Sequence, residues 1–201
     1  MRAVLRFVAS VMMVSGVLLL ADVAVTLLWQ EPVSAYLANQ HQGKLEKAFI
    51  DPPQRVIRRQ PLKGDAIAQI RMPSIGVSEY VVQGTDLESL RKGPGHYPET
   101  PLPGEPGTAA IAGHRTTYGA PFRHIDELRR GEPITIDMPD GRFVYRVERT
   151  KVVDDQDLSV LDGVGYQRLV LSACHPLYSA AQRIIVFAKF ARREPPRVRR
   201  S

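Results

Sequence analysis

Two apolar patterns divide the 201-residue chain. The first is a single block: from Phe7 to Leu28 nearly every residue is apolar, with Asp22 the one charge. Coiled as a helix, this block would rise about 33 Å, close to the hydrocarbon thickness of a bilayer. The second pattern begins at Gly64 and consists of short runs broken by turn residues. Ala66–Met72 and Val77–Gln83 read as strands joined through Pro73-Ser74-Ile75-Gly76. Thr108–Ala112 reads as a short buried strand. Ile134–Met138 and Arg142–Glu148 flank Pro139-Asp140-Gly141, a hairpin signal with Asp-Gly at its tip. Arg168–Ser172 and Arg183–Phe190 complete the set. Thr85–Leu90 carries an N-cap followed by helical spacing, and Phe122–Leu128 predicts a second short helix. Seven or eight short strands with one or two helices point to a mainly β fold, a closed or nearly closed barrel.

The block Phe7–Leu28 is longer than the apolar region of a cleaved signal peptide, and Ala21-Asp22-Val23 makes a poor cleavage site. It reads as an uncleaved membrane helix, with Trp29 at the interface. Arg2 and Arg6 precede it and Glu31 follows it, so the positive-inside rule puts the N-terminus in the cytoplasm and residues 30–201 outside. Residues 30–63 read as a connector: Glu31–Leu37 and Leu45–Phe49 each predict a short amphipathic helix, and the prolines that follow suggest a plain, mobile stalk. The tail from Arg192 reads as disordered.

The net charge of +6 hints at nucleic acid, but it sits at the two ends. Residues 7–191 hold 20 basic and 20 acidic side chains, so the body lacks a phosphate-binding face. No Gly-rich phosphate loop is present either.

Cys174 is the only cysteine. It ends the run Leu169-Val170-Leu171-Ser172-Ala173 at the entry to a loop. Position alone leaves it either a reactive thiol or a buried small hydrophobe. A reactive thiol needs a basic or cationic neighbour. His175 adjoins it, but successive side chains on a strand face opposite ways. His114 stands just past the apolar run Ala109–Ala112. Arg183 opens the strand that returns from the loop, and its five fixed donors suit an oxyanion.

These surroundings resemble one family, the sortases, which are cysteine transpeptidases of Gram-positive cell surfaces. The likeness spans roughly residues 64–191. It rests on Gly95-His96-Tyr97-Pro98, Ile111-Ala112-Gly113-His114-Arg115, Leu171-Ser172-Ala173-Cys174-His175-Pro176 and Gln182-Arg183-Ile184-Ile185-Val186. His114–Phe122 together with Cys-His-Pro is most similar to the class E branch of actinobacteria. The resemblance implies a sortase-like eight-stranded β-barrel preceded by a single transmembrane helix. Its domains would be a cytoplasmic stub and membrane helix (1–29), an extracellular connector (30–63), the catalytic barrel (64–191) and a basic tail (192–201). It further implies that Cys174 attacks the Thr–Gly bond of a Leu-x-x-Thr-Gly sorting signal, Leu-Ala-x-Thr-Gly in class E. An amine of a peptidoglycan precursor then resolves the thioacyl enzyme. His114 would be the acid and base and Arg183 the oxyanion partner. Tyr97, then Tyr118, would meet the substrate, with Ser172 nearby. The expected partners are surface proteins bearing the signal, the wall precursor and the bilayer, with no nucleic acid.

The family usually has Thr where this chain has Ala173, a departure that bears on rate and motif preference. The acidic cluster Asp154-Asp155-Gln156-Asp157 lacks the spacing of a calcium loop, so no cofactor or metal is expected. Competing readings are another exported cysteine enzyme of the wall, resembling the L,D-transpeptidases, and a non-catalytic scaffold barrel.

Overall fold

The computed structural model describes residues 2–28 and 32–196. Three helices precede the barrel: α1 (Arg2–Leu28), α2 (Pro32–Ile50) and the single turn α3 (Gln54–Ile57). Strands β1 (Ala66–Met72) and β2 (Val77–Gln83) follow, then the turn α4 (Leu87–Leu90), β3 (Gly95–His96) and β4 (Thr108–Ala112). The remaining strands are β5 (Pro133–Met138), β6 (Gly141–Asp154), β7 (Arg168–His175) and β8 (Gln182–Glu194). They close into an eight-stranded barrel in the order β1-β2-β3-β4-β7-β8-β6-β5. All neighbours are antiparallel except β2 with β3 and β4 with β7.

Alternation along the strands fills the barrel. Leu169, Leu171 and Ala173 on β7 and Ile184, Val186 and Ala188 on β8 belong to the main core, with Ile67, Ile70, Ile111, Ile134 and Ile136. The intervening residues Val170, Ser172 and Cys174, and Arg183, Ile185 and Phe187, therefore face outward. Part of that outer face is roofed. Val160 and Leu161, on the 3-10 turn Leu158–Leu161, pack with Tyr97 over Ala110, Val170, Ile185 and Phe187. Ser172, next along the strand, is still buried, and Cys174 beyond it is partly exposed.

The connector departs from the sequence reading. One continuous helix, α2, replaces two short ones, and it lies on the barrel rather than forming a plain stalk. Ser34, Ala38, Gln42, Leu45 and Phe49 fall on one face, and Ser34, Ala38 and Leu45 are buried. Leu45 packs with Ala66 and Val82, a burial that contributes about 1.5–3 kcal/mol. Gln42 acts as a strand surrogate: its Oε1 accepts from Tyr80 N (2.7 Å), and its Nε2 donates to Tyr80 O (3.1 Å) and Lys92 O (2.8 Å). Further along, Arg55 pairs with Asp65 (2.7 Å), and Arg59 with Asp140 (3.0 Å) and Glu105 (3.3 Å). The expected mobile spacer is thus tied down at several points.

Other differences are smaller. The predicted helix over Phe122–Leu128 is only a 3-10 turn, Ile125–Glu127. Arg192, Arg193 and Glu194 extend β8 against Arg142, Phe143 and Val144 instead of starting a disordered tail. Trp29, Glu31 and the last five residues lie outside the described residues. The long apolar helix is present, and its described side chains are exposed rather than packed on the barrel.

Candidate active site

Cys174 and Arg183 are opposite residues of the antiparallel β7–β8 pair. Directly opposed side chains share a face, so the outward thiol and the outward guanidinium are neighbours by register. The Arg183 Nη1 donates to Ala180 O (2.9 Å) and Gln182 O (3.0 Å), which holds the guanidinium at the end of the strand. On the other side β7 pairs in parallel with β4 as far as Ala112↔Ser172, and Gly113 N donates to Ser172 O (3.0 Å). His114 follows at once. Two ladders on either side of β7 therefore bring His114 and Arg183 to Cys174.

These three side chains border one cavity of about 210 Å³, together with Tyr97, Ser172, Ala173, Gly113, Ala112, Thr85 and Leu90. Ser172 sits two residues before Cys174 on the same face, and Tyr97 also walls an adjoining cavity with Asp155, Asp157 and Arg183. Tyr118 does not line the cavity of Cys174. Its ring lies against that of His114 instead, with centroids 5.1 Å apart, and the Arg91 guanidinium lies 5.8 Å from its centroid. Its backbone N donates to Ser34 Oγ of α2 (3.0 Å). Ala173 is buried among core side chains while bordering the cavity, so a hydroxyl at this position would stand at the edge between core and cavity.

His114 Nε2 is buried and has no hydrogen-bond partner among the described residues. An orphaned imidazole nitrogen beside a thiol is a group that awaits a ligand. Burial pushes its pKa below the ordinary value, because the charged ring is poorly solvated there. The neutral ring is thus the resting form at neutral pH. His175 is engaged elsewhere, its Nδ1 lying 3.3 Å from Arg115 Nη1. In the acidic cluster, Asp157 caps the Leu158–Leu161 turn by accepting from Ser159 N (3.1 Å) and Ser159 Oγ (2.5 Å). Asp155 accepts from Gln156 Nε2 (3.1 Å). Sequence reading missed Thr85 and Leu90 as cavity walls, and missed Arg115 and Ser34 behind it. Their places around the site are set by contacts distant in sequence, such as Arg115 with Cys174 O and Ser34 with Tyr118 N, which local patterns do not reveal.

A free thiol, an imidazole able to carry a proton and a fixed guanidinium bordering one cavity form a set that suits acyl transfer through a thioester. A family model for the sortase domain matches residues 70–191. The chain belongs to the sortase family. Sortases are cysteine transpeptidases. Sortase D of Bacillus subtilis is 33% identical over 133 residues, covering 64% of this chain and 66% of that protein. Sortase SrtE1 of Streptomyces coelicolor is 29% identical over 206 residues, covering 94% of this chain and 58% of that protein. The matched span thus covers less than two thirds of the length of these relatives. Among solved structures, sortase E1 of Streptomyces coelicolor with a tripeptide in its active site superposes with a TM-score of 0.61. Its identity is 31%, over 66% of this chain and 91% of that one. The sortase D5 transpeptidase of Clostridium perfringens has a TM-score of 0.67 and 27% identity, over 78% and 99%. Class E members recur among these relatives, in keeping with the His114–Phe122 stretch.

Proposed function

We propose that this sortase is a membrane-anchored cysteine transpeptidase acting on a Leu-(Ala/Pro)-x-Thr-Gly sorting signal, with Cys174 as nucleophile. One observation carries the reading: a thiol, an unpartnered imidazole nitrogen and a guanidinium border the same cavity. That a related sortase E1 holds a tripeptide in its active site supports a peptide occupant.

In the first half-reaction the Cys174 thiolate attacks the Thr carbonyl carbon, and the developing oxyanion is stabilised by Arg183. The imidazolium of His114 donates its proton to the leaving amine, the C–N bond breaks, and a thioester to Cys174 remains. In the second, neutral His114 takes a proton from the incoming amine of a wall precursor. That nitrogen attacks the thioester, the C–S bond breaks and the thiolate is released. Because burial disfavours the imidazolium, the acid of the first step is a minor form at neutral pH. Tyr97 and Ser172 wall the substrate's path, while Tyr118 acts through its contact with His114. The helix α1, at about 1.5 Å per residue, is long enough to cross a bilayer and would hold the barrel on the outer surface with the N-terminus in the cytoplasm.

The test incubates the full chain in detergent with a fluorescent Leu-Ala-x-Thr-Gly peptide and an amine. Ligated product that disappears in Cys174→Ala, His114→Ala and Arg183→Ala is the expected result. Equal product from Cys174→Ala would refute the reading.

A further inference from the structure

Arg115 is almost completely buried, with its side chain 2% exposed, yet it belongs to neither the core nor the cavity. All three of its guanidinium nitrogens have partners. Nε and Nη2 donate to Arg123 O (3.3 and 3.1 Å), and Nη2 also pairs with Asp126 Oδ1 (2.8 Å). Nη1 donates to Cys174 O (3.4 Å) and reaches His175 Nδ1 (3.3 Å). One guanidinium therefore joins three stretches of chain: the residue after His114, the turn 123–126, and the end of β7 that carries the thiol.

The place of this contact in the ladder is informative. Parallel rungs recur every two residues. After Gly113 N→Ser172 O, the next rung would run from residue 115 to Cys174 O. β4 has already ended at Ala112, and the chain turns away, held by Phe122 N→His114 O (2.9 Å). The Arg115 side chain supplies the donor that the backbone no longer offers. Among the described residues, β7 beyond Ser172 has a strand partner only on its β8 side, so this contact ties the thiol end of β7 to the His114 loop.

We propose that Arg115 is a positioning residue for the acyl transfer, setting the separation of Cys174 and His114 by clamping the end of β7 to the loop after β4. It touches no reacting atom, and the proposal rests on Cys174 and His114 acting as assigned above. The role needs a planar fork: a guanidinium reaches Cys174 O, Arg123 O and Asp126 at once, whereas the single ammonium of lysine cannot span them. The contact with His175 also fixes that ring as an acceptor at Nδ1, leaving His114 as the histidine free to serve the thiol.

The test uses the full chain in detergent and compares wild type with Arg115→Lys and Asp126→Asn in the peptide–amine ligation, with melting curves alongside. A misplacement of about 1 Å at a reacting group lowers the rate on the order of 100-fold. Arg115→Lys is therefore expected to lose about 10- to 100-fold in kcat with KM nearly unchanged. Asp126→Asn, at the half-exposed outer end of the clamp, keeps the fold and loses less. Wild-type kcat in Arg115→Lys would overturn the proposal. So would a kcat loss that merely follows the unfolded fraction and returns on cooling, with Asp126→Asn unchanged. If wild type itself forms no product, the assignment of Cys174 falls first and the proposal with it.

Discussion

Gly113 precedes His114, and the space around it is spoken for. A Cβ at this position would lie 2.5, 2.7 and 2.8 Å from three atoms of the Phe122 ring. Carbon atoms in contact normally rest at about 3.5–4.0 Å, so Gly113→Ala forces a displacement of roughly 1 Å. Neither side yields easily. Phe122 is fully buried and donates its N–H to His114 O, while Gly113 N is a rung to Ser172 O. Overpacking of this kind costs about 1–3 kcal/mol. The backbone at Gly113 is not left-handed, so alanine recovers about 0.4–1 kcal/mol by restricting the unfolded chain. A net loss of about 1–2 kcal/mol lowers Tm by about 2–8 °C for a chain of this size. Displacing His114 on the order of 1 Å lowers kcat by about 100-fold, a larger effect than the stability change. Phe122→Ala removes all three colliding atoms (Cγ, Cδ2 and Cε2), so Gly113→Ala should cost less in that background. Melting and ligation assays on the two single variants and the double variant give the coupling, expected at about 0.5–3 kcal/mol. Additive stabilities together with wild-type kcat in Gly113→Ala would refute the reasoning.

Gln42→Ala removes three hydrogen bonds between α2 and the barrel. It should destabilise by about 1–3 kcal/mol in urea titration; an unchanged midpoint would mean that α2 is not docked in solution. Glu79, on β2 beside the cavity under α2, is pushed up to about 7 by burial. A folded pKa raised above the ordinary 4.5 favours folding in acid, and that contribution is lost as pH rises from about 4.5 through about 7. Glu79→Gln should therefore raise stability at pH 8.5 by about 1–2 kcal/mol, allowing for partial exposure, with little change at pH 4.5. The same gain at both pH values would contradict it.

Strands bounded by turn residues at both ends were legible to the residue. β1, β2 and β4 begin and end where the apolar runs and their flanking turn residues predicted. β3 was not, because two residues carry no period. β6 runs on to Asp154, past the predicted Glu148, since Glu148–Val152 are largely exposed and break the pattern while β8 still pairs with them. The docked face of α2 escaped notice because Ser34 and Gln42 stand where apolar residues would mark a buried stripe, and the barrel satisfies both. At the site, Cys174 opposite Arg183 follows from a strand, a short loop and a returning strand. His114 follows from a second apolar strand end. Tyr118 looked like a substrate contact but lies against the His114 ring, because the chain turns there with a left-handed backbone at Tyr118 (φ 50°). Arg115 stands in the Ile111–Arg115 stretch, but its bridging role left no trace in the sequence, since Cys174 O and His175 Nδ1 lie 59 and 60 residues further along the chain.

The central claim is that Cys174 forms a thioester with the Thr carbonyl of a sorting signal. Intact-mass spectrometry of the full chain mixed with a Leu-Ala-x-Thr-Gly peptide, quenched in acid before any amine is added, tests it most directly. The account predicts an adduct of the acyl fragment ending in Thr, located on Cys174, and discharged when an amine is supplied. An unmodified Cys174 beside consumed peptide, or an adduct that persists in Cys174→Ala, would contradict it.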